Sequence, residues 1–161
     1  MKVDVLRYKG DFGKLIFFKL LSTNPGFRAV TLIRIMHKMN RKSRLVSSLI
    51  RIRLIHKYGC DVSPSSEIGP GLKIEHPVGI VIGQKVYIGK NFTISQGCTI
   101  GEKYIDNRSD GNYPQIGSEV TIGANTTIIG KIKIGNHVTM GANSLILSDV
   151  PDNVTVFGIY K

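Results

Sequence analysis

Two runs decide the fold, IGPGLKIEHPVGIVIGQKVYIGKNFTISQGCTIG at 68–101 and IGSEVTIGANTTIIGKIKIGNHVTMGANSLI at 116–146. An aliphatic residue returns every sixth position, with two longer steps, through Ile68, Ile74, Ile82, Ile88, Ile94, Ile100, Ile116, Ile122, Ile128, Ile134, Met140 and Ile146, usually with glycine after it. A period of six matches neither the 3.6 of an α-helix nor the 2 of a strand, so the stretch from Ile68 to Phe157 reads as a repeat architecture. Each unit is too short to bury anything alone. Stacked as sides of a three-sided coil, the units share a core, which makes the protein mainly β.

A second small or branched column, four residues after each beat, faces inward on the same logic: Leu72, Val86, Phe92, Cys98, Val120, Thr126, Ile132, Val138, Ser144 and Val150. Three residues after the beat stand Gly71, Asn91, Gly97, Asn125 and Asn143, residues that tolerate a left-handed corner. Lys85, Glu119, Lys131, His137 and Asp149 complete that column, so corner chemistry reads as a tendency.

This pattern resembles the hexapeptide-repeat acyltransferases, and the resemblance implies a left-handed parallel β-helix, an exception to the usual right-handed crossover. The repeats extend over 58–161. Residues 1–57 form a separate, basic N-terminal helical segment. They hold 14 Lys and Arg against Asp4 and Asp11, whereas 58–161 hold 8 against 9 acids. The whole formal charge of +11 therefore belongs to the N-terminal third. Phe27, Val30, Ile33 and Met36 form one helical stripe and Val46, Ile50 and Leu54 a second, with Pro25-Gly26 opening the first helix and 40–44 a polar turn between them.

Between Phe27 and Lys57 lie nine Lys and Arg and no acid. Such helices dock on the coil with a solvated face, lie peripherally on an anionic membrane, or bind nucleic acid. No nucleic-acid motif is present and the aromatics do not interleave with the cations, which argues against the last. The apolar run Leu15–Leu21 is interrupted by Lys19 and is too short for a signal core or a span. The chain reads as cytoplasmic and reduced, with Cys98 a small hydrophobe of the inward column.

The beat stumbles twice. Between Ile74 and Ile82 the step is eight, and the excess lies in Glu75-His76-Pro77-Val78-Gly79-Ile80. A histidine held at a distorted corner by proline and glycine is either an exposed corner residue or a proton-transfer group. Residues 61–101 resemble the core of the serine O-acetyltransferases and of the acetyltransferases of capsule and exopolysaccharide synthesis. There an aspartate in a D-I-H-P motif, fifteen residues before the histidine, orients it as a general base. Asp61 opens Asp61-Val62-Ser63-Pro64, fifteen positions before His76. The resemblance thus implies a catalytic pair of His76 and Asp61, the imidazole taking a proton from an acceptor hydroxyl while the carboxylate fixes its tautomer.

The second stumble inserts ten residues between Ile100 and Ile116, read as a protruding loop over 102–115. In serine acetyltransferases this loop ends in H-P-x-I. Here it ends in Tyr113-Pro114-Gln115-Ile116, and the family's G-I-V-x-G-E becomes Gly79-Ile80-Val81-Ile82-Gly83-Gln84. Glu75, Gln84 and Tyr113 are the candidate acceptor-binding residues. Because tyrosine carries no positive charge for an amino-acid carboxylate, these departures point to a sugar or glycan hydroxyl in capsule or exopolysaccharide synthesis, with serine as the alternative acceptor and a non-catalytic trimeric scaffold as a further one.

For the donor, the resemblance implies acetyl-CoA in a groove between subunits of a homotrimer, its arm against G-A-x motifs matched here by Gly123-Ala124-Asn125 and Gly141-Ala142-Asn143. Small residues are also what a tight coil needs. Only His76 and His137 lie in the coil, too few for a three-histidine zinc site, so no metal is expected.

Overall fold

The computed structural model describes residues 1–103 and 112–161. Four helices come first, α1 Lys2–Lys9, α2 Lys14–Thr23, α3 Pro25–Asn40 and α4 Arg44–Tyr58. Fifteen short strands follow among the described residues, beginning with β1 Asp61–Val62, β2 Glu67–Ile68, β3 Lys73–Ile74, β4 Val81–Ile82, β5 Tyr87–Ile88, β6 Thr93–Ile94 and β7 Thr99–Gly101. After the insertion come β8 Gln115–Ile116, β9 Thr121–Ile122, β10 Thr127–Ile129, β11 Lys133–Ile134, β12 Thr139–Met140, β13 Leu145–Ile146, β14 Thr155–Val156 and β15 Ile159–Tyr160.

These strands form the three walls of a left-handed parallel β-helix. Wall A is β1-β4-β7-β10-β13-β15, wall B is β2-β5-β8-β11, and wall C is β3-β6-β9-β12-β14. Register shows both stumbles. Asp61 pairs with Val81, 20 positions on, Val81 with Thr99, 18 on, and Thr99 with Thr127, 28 on, so each insertion is extruded at a corner while the stacking stays in phase.

Both inward columns are buried, from Leu72 and Ile74 to Ile146 and Val150. The corners go beyond the composition of their column. Gly79, Gly97, Asn125, Asn143 and Gly158 are left-handed along the edge between walls C and A, and Gly71, Asn91, Glu119, His137 and Asn153 along the edge between B and C. Glu119 and His137 follow the geometry although they are neither glycine nor asparagine, and their side chains pair at 3.3 Å. On the edge between walls A and B, Lys85 is left-handed, but Lys131 and Asp149 are not. There Gly130 takes the positive φ, and Asp149 accepts a hydrogen bond from Lys133 N through its side chain.

The helices close the start of the coil. Asn24 caps α3 by accepting from Phe27 N, and Ser43 caps α4 by accepting from Val46 N. Phe27, Val30, Ile33 and Met36 of the first stripe are all buried; Val30, Ile33 and Met36 share one core with the coil. Gly26 lets α3 approach closely, because a Cβ there would collide with Ile74 O. The second stripe needs correction. Val46 is 40% exposed, while Ile50 and Leu54 of that stripe pack on the core and Ser47 turns inward to donate to Met36 O, so the inward face of α4 runs Ser47, Ile50, Leu54 and Tyr58. Residues 14–23, read only for targeting, form α2, with Leu20 buried near Phe27.

Asp4 joins helices to coil. Fully buried, it accepts from Gly71 N and Leu72 N at 3.0 Å and pairs with Arg34 at 2.8 Å, while Arg34 also donates to Ile68 O and Gly69 O. Tyr8 donates to Ile74 O and accepts from Ile74 N. Burial pushes the Asp4 carboxyl up, but the hydrogen bonds and charge of Arg34, with the chain's first ammonium, pull it down further, so it lies below its ordinary value.

Breaking this buried pair with Asp4→Asn should cost about 3 to 5 kcal/mol, read as a lower urea midpoint at constant m-value. A depressed folded pKa gives stability that is complete above the unfolded value of about 3.9 and drains as pH falls through the folded one. The parent should therefore weaken in acid more steeply than Asp4→Asn, and parallel curves would remove Asp4 as the linked group. A Cβ at Gly123 would lie 2.6 Å from the backbone nitrogen of Ala142, whereas at Gly141 it meets the exposed, movable ring of Phe157. Gly123→Ala should cost about 1 to 3 kcal/mol and Gly141→Ala less, measured by the same titration.

Candidate functional site

The eight-residue step places 75–80 as an enlarged corner between β3 and β4. Its backbone is held on three sides: Glu75 N donates to Ile94 O, Gly79 N to Gly59 O, and Gly97 N to Val78 O. Pro77 is buried, and His76 stands exposed beside it. The two extra residues thus push the imidazole outward without breaking the stack. Glu75 does not face a partner across the corner but pairs with Lys73 at 2.6 Å.

Asp61 opens β1 one coil earlier, opposite Val81 just past the end of this corner. Its N–H donates to Ile80 O, and β1 pairs with β4, one strand spacing of about 4.8 Å away. Its carboxylate, however, is gripped by Arg51 of α4, with Nε to Oδ1 at 2.6 Å and Nη2 to Oδ2 at 2.9 Å. Among the described residues His76 makes no hydrogen bond to Asp61. Sequence spacing pointed to the histidine and missed the arginine. Arg51 is itself partly exposed, so no burial pattern in the sequence marked it; only the packing of α4 against β1 brings it to Asp61. The hydrogen bond to Asp61, chiefly, raises the Arg51 pKa further.

Gly123-Ala124-Asn125 and Gly141-Ala142-Asn143 follow wall C and precede wall A, so they occupy the same edge as His76, two and three coils further along. Asn143 N donates to Ala124 O and Asn125 Nδ2 to Asn143 Oδ1. Cys98 Sγ donates to Gly123 O. Burial pushes the Cys98 thiol up and the Cys60 thiol to about 12, the latter helped by Asp61, so neither supplies a thiolate at neutral pH.

Gln84 and Tyr113 come together, Gln84 Nε2 donating to the Tyr113 hydroxyl at 3.3 Å, with Lys85 Nζ 5.4 Å from the ring centre. They sit on the edge between walls A and B. Wall A separates them from His76, roughly 15 to 20 Å of chain. Within one chain the donor motifs, His76 and the acceptor candidate Glu75 share an edge, and the other two acceptor candidates, Gln84 and Tyr113, occupy the next. Most of the loop expected over 102–115, namely 104–111, lies outside the described residues.

Residues 113–148 match the bacterial transferase hexapeptide (six repeats) family. The chain is 42% identical over 136 residues to serine acetyltransferase 1, chloroplastic, of Arabidopsis thaliana, covering 83% of this chain and 42% of that protein. It is 37% identical to the serine acetyltransferase of Staphylococcus epidermidis, covering 88% of this chain and 66% of that one. Among solved structures, the serine acetyltransferase of Neisseria gonorrhoeae superposes with a TM-score of 0.82 at 31% identity, over 96% of this chain and 59% of that one. Soybean serine acetyltransferase complexed with serine gives 0.83 at 31%, over 97% and 64%. The chain thus spans less than two thirds of these relatives.

These similarities overturn the expected glycan acceptor, since the relatives and solved structures are serine acetyltransferases. The physical premise behind that expectation also fails: the loss of a cationic side chain at Tyr113 does not empty the position of positive charge, because Lys85 stands over the ring. The repeat, the three-walled fold and these relatives together make the chain a serine acetyltransferase-like member of the hexapeptide-repeat acyltransferase family.

Proposed function

We propose that the chain transfers the acetyl group of acetyl-CoA to the hydroxyl of serine, working as a homotrimer. The observation that carries this reading is the shared edge of His76 with Gly123-Ala124-Asn125 and Gly141-Ala142-Asn143. A thioester laid along those small residues presents its carbonyl toward the enlarged corner. Neutral His76 then takes the proton of the serine hydroxyl as the oxygen attacks the carbonyl carbon. The tetrahedral intermediate collapses with loss of the CoA thiolate, which the imidazolium protonates, and no acyl-enzyme forms. Tyr113, Gln84 and Lys85 lie one wall away, so a site holding both sets is completed by the edge of a second chain, and the Lys85 ammonium suits an amino-acid carboxylate.

The test is release of free thiol from acetyl-CoA with and without L-serine. Serine-dependent release is expected, and His76→Ala should lower it about 10² to 10⁴-fold with acetyl-CoA binding retained. No serine-dependent release from the folded trimer would end the proposal, and full activity in His76→Ala would end the role of the histidine.

We also infer that the protein meets an anionic membrane face through α4. Leu45, Leu49 and Ile52 are 71%, 57% and 47% exposed on its outer side, and Lys38, Arg41, Lys42, Arg44 and Arg53 are exposed around them. Cations near such a surface contribute about 1 kcal/mol each, and the Debye length falls from about 10 Å at 0.1 M salt to 3 Å at 1 M. Vesicle sedimentation should show binding to anionic but not neutral vesicles, lost in 1 M salt and when Arg41, Lys42 and Arg44 become glutamine. Equal behaviour with both vesicle types would refute it.

A further inference from the structure

The start of wall B and the C-terminal end of α3 enclose a cleft of about 460 Å³ that includes neither the His76 corner nor the Gly-Ala-Asn corners. That volume falls in the range of roughly 300 to 1,000 Å³ usual for small-ligand sites. On the wall side, Glu67 and Tyr87 are register partners with exposed side chains, about 4.8 Å apart along the sheet. On the helix side stand Arg34, His37 and Asn40, with Arg41 just past the end of α3. Their polar groups are only partly used. Arg34 commits four of its five N–H donors to Asp4, Ile68 O and Gly69 O, and one on Nη1 remains. Asn40 donates to Pro64 O and keeps its own side-chain oxygen as an acceptor. Among the described residues, the Arg41 guanidinium, the Glu67 carboxylate and the Tyr87 hydroxyl have no side-chain partner. His37 lies 3.3 Å from both Ser63 O and Ser66 Oγ, and burial, outweighing the Ser63 contact, holds its pKa below the ordinary value, so it adds no charge at neutral pH.

Charge decides the kind of ligand. Arg34 is balanced by Asp4, and Arg41 by Glu67, so the cleft presents both signs with no surplus of either. A phosphate or dicarboxylate would meet the Glu67 carboxylate, and a polyamine would meet two guanidiniums. A zwitterion suits both ends at once. The rest of the lining is apolar, with Pro64 and Ile68 half-buried and the Tyr87 ring 51% exposed. We propose that this cleft binds a free α-amino acid with an apolar side chain. The ligand carboxylate meets Arg41 and the remaining Arg34 N–H, the ammonium meets Glu67 and the Asn40 oxygen, and the side chain lies on Pro64, Ile68 and Tyr87. The site goes beyond the proposed transferase function and does not rest on it, since it contains none of the residues assigned there to donor, acceptor or proton transfer. Its occupant bridges α3 to β2 and β5, so binding also tightens the joint between helices and coil.

The experiment is calorimetric titration of the full chain at neutral pH with L-leucine, with isocaproate, which lacks the ammonium, and with isopentylamine, which lacks the carboxylate. The same titrations are run on Arg41→Gln, Glu67→Gln and His76→Ala. L-leucine should saturate one site per chain and raise the Tm of the parent. Each single-charge analogue should bind about tenfold or more weakly than leucine, and Arg41→Gln and Glu67→Gln should each weaken leucine by a similar factor, as expected for the loss of one charge-assisted contact. His76→Ala should leave leucine binding unchanged. Arg41 and Glu67 are exposed, so both variants should fold, and an unliganded Tm equal to that of the parent verifies it. Absence of saturable leucine binding would overturn the proposal. So would isocaproate binding as tightly as leucine, which marks a plain anion site. Leucine binding that survives both substitutions undiminished, or is lost in His76→Ala, would place the ligand elsewhere and equally end it. All of these readouts are of binding, so they stand apart from whether acetyl transfer to serine is observed.

Discussion

A coil that stacks by backbone hydrogen bonds has a first turn with nothing beneath it, and each group left there must find another partner or pay for its desolvation. In this protein the partners are side chains of the N-terminal helices. Asp4 accepts from the N–H groups of Gly71 and Leu72, Arg34 donates to the carbonyls of Ile68 and Gly69, and Tyr8 closes both polar groups of Ile74. On the adjoining stretch Asn40 donates to Pro64 O and His37 lies 3.3 Å from Ser63 O. The helical segment is therefore the coil's terminal rung, written in side chains, and it also blocks the edge on which another strand would otherwise add.

The same dependence explains why the site lies near this end. A two-residue excess at a corner is tolerable only where the backbone around it is held, and the 75–80 corner is fixed by Gly59, Ile94 and Gly97 above and below. Gly59 is the left-handed cap of α4, so the end of the last helix and the first enlarged corner share a hydrogen bond. The Arg51 and Asp61 contact adds a polar tie between α4 and the first strand of the coil.

The inward columns were legible because every sixth residue repeats one environment, and repetition averages out individual exceptions. Nothing averages in the helices. Val46 fits a stripe as well as Ser47 does, and only the packing of α4 on α3, where the Ser47 hydroxyl reaches Met36 O, separates them. Glu119 and His137 looked like violations of the corner chemistry, but backbone stacking on either side imposes the left-handed conformation whichever side chain is present, at a strain of roughly 1 kcal/mol each. The eight-residue step marked the His76 corner and the family resemblance marked Asp61, whereas nothing marked Arg51, because a helical arginine meets its carboxylate only through the angle at which α4 leaves the coil. The acceptor was misread for a related reason. Tyr113 was weighed alone, and charge at a site belongs to all the side chains that converge there, including Lys85 from the preceding coil.

That convergence also bears on assembly. The walls of a three-sided coil keep its edges apart, so chemistry distributed over two edges of one protomer cannot meet inside that protomer. His76 and the two Gly-Ala-Asn corners lie on one edge, and Gln84, Lys85 and Tyr113 on the next. A three-fold arrangement that sets the first edge of each chain against the second edge of its neighbour brings the two sets together three times over and closes without leaving an unpaired edge, as a heterologous contact must if it is to form a ring. On the reading proposed above, a neighbouring chain supplies the other half of each groove.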